Sequence, residues 1–106
     1  MAMNFEDKNY TWRELRDTGE DFSPWKPIDF AETVEGRVDF KVWSISTLRP
    51  ALVVNMTLDD GRKIRFTVWA LDDYNGMKDT PIGTRLKITS VKTRNRRYAV
   101  KSITLI

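Results

Sequence analysis

Arg62-Lys63-Ile64-Arg65-Phe66-Thr67-Val68-Trp69 is the stretch whose reading decides the fold. Apolar and polar residues alternate along it. Ile64, Phe66 and Val68 take one face; Lys63, Arg65, Thr67 and Trp69 take the other. That period of two marks a half-buried strand, whose polar face ordinarily meets water. Here the outer face carries two cations, a hydroxyl and an indole, groups suited to a charged polymer with flat bases.

Working outward, Asp59-Asp60-Gly61 is a tight-turn signal, so the stretch pairs as a hairpin with residues 51–58. In that partner strand the alternation buries Leu52, Val54, Met56 and Leu58 and shows Val53, Asn55 and Thr57. Residues 46–50 read as a loop. Before it, a strand from Thr33 places Val34, Val38, Phe40 and Val42 on one face and Glu35, Arg37, Asp39, Lys41 and Trp43 on the other. Gly36 is the expected place for a bulge or bend. Beyond Trp69, residues 70–77 read as a short helix or turn with an aspartate N-cap and Gly76 near its end. A fourth strand, 84–93, buries Leu86 and Ile88, and Arg94-Asn95-Arg96 turns into a fifth, 97–105. The apolar residues of that last strand do not alternate cleanly, which leaves its facing open.

Residues 1–32 have a different character. Thr11-Trp12-Arg13-Glu14 has capping-box spacing, predicting a short helix over 12–17 that Gly19 stops. Pro24 and Pro27 force an extended path through Trp25. Trp12, Phe22, Trp25 and Phe30 are more aromatics than a disordered tail carries. They are expected either to pack the arm onto the rest of the domain, a small barrel, as a cap or to form an interaction arm for a partner or second subunit.

Of the 106 residues, none is cysteine or histidine. Disulfides, cysteine-ligated metal, thiol catalysis and the commonest general base are thereby excluded. No apolar run approaches the roughly eighteen residues of a membrane span, and the N-terminus has no signal-peptide pattern. A soluble, cytoplasmic protein without cofactor, metal or membrane partner is expected. The net charge of +3 is unevenly spread, because residues 1–35 hold nine acidic and four basic side chains. An acidic arm therefore precedes a basic body, the balance that suits a polyanion.

The five strands, with a short helical link between the third and fourth, follow the plan of the OB-fold, a small all-β barrel. Residues 33–106 would form it, with 1–32 as an aromatic, acidic extension. The region also resembles the OB domains of single-stranded DNA-binding proteins and replication protein A. The matching residues are Val34-Glu35-Gly36-Arg37-Val38, Thr57-Leu58-Asp59-Asp60-Gly61, Thr67-Val68-Trp69 and Ile82-Gly83-Thr84-Arg85-Leu86-Lys87-Ile88. The resemblance implies single-stranded DNA binding in replication, recombination or repair. RNA binding, or a protein-interaction module of a replication or mobile-element complex anchored by Trp12 and Trp25, is the alternative.

In such a fold the ligand crosses the second and third strands between the loops at their ends. The candidate nucleic-acid-binding residues are Trp43, Arg49, Asn55, Lys63, Arg65, Thr67, Trp69, Arg94, Arg96, Arg97 and Tyr98. Cations would follow the phosphates and aromatic planes would stack on bases. No catalytic residue is assigned: the adjacent aspartates Asp59-Asp60 and Asp72-Asp73 stand at positions that favour aspartate for turn and cap reasons. The arm is expected to contact a second copy or a replication partner, or to compete with nucleic acid. A phage or mobile-element origin fits so short a chain.

Overall fold

The computed structural model describes residues 5–46, 49–69 and 74–106, with side chains throughout except at 45–46, 49–50 and 74–75. The fold is all-β apart from two short helices. In chain order the elements are β1 (Asn9–Thr11), α1 (Trp12–Thr18), β2 (Lys26–Pro27), β3 (Thr33–Ser46), β4 (Arg49–Leu58), β5 (Lys63–Trp69), α2 (Tyr74–Lys78), β6 (Arg85–Lys92) and β7 (Tyr98–Leu105). They form one sheet in the order β2-β5-β4-β3-β6-β7, with β1 pairing beside that path to β3.

The long strand β3 organises the sheet because two strands share it. Residues 33–37 pair with β6 and residues 36–46 with β4, both antiparallel. At the crossover Gly36 lies opposite Leu58 on one side and Leu86 on the other. A Cβ there would run into the Thr57 carbonyl and lie 2.8 Å from Leu58 Cα, so the backbones approach to a distance that only glycine permits.

The sheet is not closed into a barrel: no ladder joins β5 to β7 among the described residues. The outer edge of β5 is instead taken at Ile64 and Arg65 by parallel pairing with Lys26 and Pro27. The chain then runs through Ile28, whose N–H donates to Arg65 O at 3.3 Å, to reach β6. There Ser90 Oγ donates to Phe30 O at 2.6 Å and accepts from Glu32 N at 3.1 Å. The N-terminal arm thus spans between β5 and β6, and Ile28 and Phe30 enter the core on the way.

The alternation expected for β3 fails at one point. Val38 stands opposite Met56, but Phe40 stands opposite Asn55, so Asp39 is an inserted residue and everything after it changes face. This puts the bulge of β3 at Asp39 rather than at Gly36, and corrects the placement of Val38, Phe40 and Val42 on a common face. The sheet consequently buries apolar residues on both sides. Val38, with Leu52, Val54, Met56 and Leu58 of β4, Ile64, Phe66 and Val68 of β5, and Leu86 and Ile88 of β6, lies in the main core. Phe40 and Val42 lie behind it with Val53, Tyr10, Leu15 and Trp25 in a second core that the arm completes.

The same shift turns Lys41 inward, where it is 2% exposed rather than solvated. Its ammonium donates to the carbonyl oxygens of Met77 at 2.9 Å, Lys78 at 3.0 Å and Thr80, holding the end of α2 to the sheet. Burial pushes the Lys41 pKa down, and the charges of Asp7 and Asp79 oppose that shift.

Other local signals resolve simply. α1 has Thr11 as N-cap with the reciprocal Glu14 bond, and Gly19 ends it at φ 72°. β4 and β5 pair through the Asp59-Asp60-Gly61 turn. A register shift between Thr89 and Ser90 sets Val100 opposite Ser90 and Ile103 opposite Ile88. Both then pack against the main core, which explains the uneven pattern of β7. The loop expected at 46–50 is shorter, since β3 reaches Ser46 and β4 starts at Arg49. Thr47, Leu48 and the residues at 70–73, including the Asp72-Asp73 pair, lie outside the described residues. Among those described, no helix is long and apolar enough to cross a membrane.

Candidate functional site

Residues 63–69 keep their alternation in β5: Ile64, Phe66 and Val68 are buried, and Lys63, Arg65, Thr67 and Trp69 point to the other face. That face is not bare. Trp25, only 1% exposed, lies on it against Phe40, the two rings edge-on with centroids 4.9 Å apart. Phe5 stacks on Phe40 at 4.2 Å and meets Trp25 edge-on at 6.2 Å. The prolines on either side of Trp25 restrict the backbone that presents it.

Polar groups tie the indole in place. Trp25 Nε1 donates to Asp39 Oδ2 at 2.9 Å, and Thr57 Oγ1 donates to the same oxygen at 2.5 Å. Lys63 Nζ lies 4.6 Å from the Trp25 ring centroid and donates to Thr57 Oγ1 at 3.2 Å. Arg65 Nη1 donates to the Trp25 carbonyl at 3.2 Å. A cation over an indole face is attracted by the ring quadrupole, more strongly where water is excluded. The bulge that turned Phe40 to this side of the sheet also presents Asp39 to the network. Sequence alone put Asp39 on the outer face of its strand and Trp25 in a packing arm, but periodicity does not show that the two meet on this face. The pinning of Trp25 between prolines was the available signal.

The predicted site residues therefore separate into groups. Lys63 and Arg65 lie beneath the arm, and Asn55, 2% exposed, is buried with its amide near the Phe40 and Val53 carbonyls at 3.5 and 3.4 Å. Thr67 and Trp69 lie beyond the arm's cover, Trp69 at 44% exposure. Trp43, expected on this face, stands opposite Leu52 and packs against the main core, because the Asp39 insertion reversed its direction. Tyr98 is also partly buried against that core. Arg49 pairs with Ser46 at the start of β4, and its side chain lies outside the described residues.

Arg94, Arg96 and Arg97 form the exposed turn between β6 and β7, closed by Thr93 N donating to Arg97 O at 2.7 Å. Arg96 holds a positive φ of 57°. Lys87, Lys92 and Lys101, not singled out from periodicity, are further exposed cations on the two strands of this hairpin. The chain has no acidic residue after Asp79. The ion pairs among the described residues involve Lys8, Arg37, Arg62 and Arg85, and none of these six cations. The absence of acidic residues from the last quarter of the sequence was the signal for the extended surface.

The carboxylate pair of the β4–β5 turn is already engaged. Arg85 grips Asp59 with two bonds, Nη1 to Oδ1 at 2.9 Å and Nη2 to Oδ2 at 2.7 Å. Arg62 binds Asp60 through its backbone N–H at 3.0 Å and through Nε at 2.7 Å. These bonds hold both aspartates below their ordinary pKa. Among the described residues no three carboxylates gather as a metal site would require.

No family model, curated protein or solved structure matches the chain.

Proposed function

We propose that the chain is a non-catalytic single-stranded DNA-binding protein with an OB-like plan, acting inside the cell in replication, recombination or repair. The observation that carries the reading is the β6–β7 hairpin, whose exposed Lys87, Lys92, Arg94, Arg96, Arg97 and Lys101 have no carboxylate partner among the described residues. Cations not neutralised by the protein are available to release counterions from phosphates. Trp69 supplies an exposed plane for a base, worth about 1–3 kcal/mol by truncation. The strand order β5-β4-β3-β6-β7, with β3 shared, supports the OB plan; a barrel would additionally require closure between β5 and β7.

Fluorescence anisotropy with oligo-dT tests this. Sub-micromolar binding at low salt is expected, weakened by Trp69→Ala and by Arg97→Ala. Binding no tighter than micromolar and indifferent to both changes would overturn it. Competition with a matched RNA oligonucleotide distinguishes the polymer, and RNA winning would replace DNA by RNA in the reading.

A further inference from the structure

Residues 20–27 cross the part of the β4–β5 face that holds Lys63 and Arg65. Apart from Phe22 and Trp25, every residue of this segment is exposed, so Trp25 is its principal anchor on the face. The contacts it makes are those a nucleotide would make. The indole offers an aromatic plane to Lys63 at 4.6 Å, and the Trp25 carbonyl is an acceptor for Arg65 at 3.2 Å. The indole N–H donates to Asp39 at 2.9 Å, a bond that a base's exocyclic N–H would equally make. Glu20 and Asp21 bring negative charge to the same segment, as a phosphate backbone would.

We propose that this segment is an intramolecular competitor of single-stranded nucleic acid: the strand and residues 20–27 contend for Lys63 and Arg65, and full engagement of the face requires the segment to swing away. This rests on the nucleic-acid reading above. Gly19, at φ 72° with open space around its Cα, is the hinge on one side. The two-residue pairing of Lys26 and Pro27 with β5 is the latch on the other. A ligand that needs the open form binds with an affinity reduced by the fraction open, so loosening the latch tightens binding.

The test uses the full chain and oligo-dT with two charge-neutral variants. Trp25→Phe keeps an aromatic ring and removes the bond to Asp39; Pro27→Gly adds backbone freedom to the open segment. Thermal melting first establishes that each is folded. Both should bind several-fold tighter than wild type, and saturating oligo-dT should speed hydrogen exchange at residues 22–28 of the wild-type chain. If wild type binds while neither variant gains affinity and exchange at 22–28 is unchanged or slowed, the competition is refuted and the nucleic-acid reading stands. If no form binds, both fall together. Pro27→Gly alone decides the affinity comparison should Trp25→Phe not fold.

Discussion

Lys63 Nζ and the Trp25 ring face each other across 4.6 Å. The pair joins the strand most suited to a polyanion with the acidic arm that precedes it. Lys63 thereby has an internal partner, while the arginines of the β6–β7 turn have no carboxylate partner among the described residues. The accessible part of the candidate interface is thus displaced from the middle of β5 towards Trp69 and the basic hairpin.

The basic turn makes a two-sided prediction. Arg96 sits at φ 57°, where a side chain costs about 1–2 kcal/mol relative to right-handed backbone, and glycine much less. Arg96→Gly should raise stability by up to about 1 kcal/mol in urea unfolding, the gain being reduced by glycine's freedom in the unfolded chain. It should at the same time weaken oligo-dT binding. Replacing Arg94, Arg96 and Arg97 together by alanine should lower the slope of log K against log salt by about 2, at roughly 0.7 per phosphate contact on a single strand. An unchanged slope would show that these arginines touch no phosphate.

Gly36→Ala should destabilise the fold by about 1–3 kcal/mol or more, because the new methyl meets the β4 backbone, which cannot move aside as a flexible side chain would. Chemical denaturation measures this. A loss within about 0.5 kcal/mol, the range of ordinary surface changes, would mean that β3 and β4 separate without strain.

Lys41→Met should lose about 1–3 kcal/mol by leaving the carbonyls of Met77, Lys78 and Thr80 without their shared donor. The pH dependence has a definite sign. The folded pKa lies below the ordinary 10.5, so over that window the unfolded chain binds more proton and alkali favours folding. The melting temperature of wild type relative to Lys41→Met should therefore rise from neutral pH towards 10.5. A flat or falling difference would contradict the burial of a charged ammonium.

At the acid end, Arg85 lowers the pKa of Asp59, and Lys8 and Thr11 lower that of Glu14. Their contribution is present above the ordinary values of 3.8 and 4.5 and disappears as pH falls through the lower folded values. Asp59→Asn should reduce the melting temperature slightly at neutral pH and leave a shallower acid limb. Parallel acid limbs in the two proteins would show that the Asp59–Arg85 pair is not linked to folding.

Much of the framework was legible as local pattern. The β4–β5 hairpin follows from alternation around Asp59-Asp60-Gly61, and α1 from the Thr11 and Glu14 spacing with Gly19 behind it. In each, the determining contacts lie within a few residues, so composition and spacing specify them. The polar direction of Lys63, Arg65, Thr67 and Trp69 was equally readable.

What covers that direction was not. A single inserted residue, Asp39, reversed Phe40, Lys41, Val42 and Trp43, turning an expected stacking residue into a core neighbour and an expected surface lysine into a buried clamp. A period of two has no memory across a bulge, and the bulge is set by pairing with strands more distant in the chain. The place of Trp25 depends likewise on a surface formed by β3, β4 and β5 together. Alternation along the chain determined which β5 side chains leave the core; only tertiary packing decided that the arm, rather than water, meets Lys63 and Arg65.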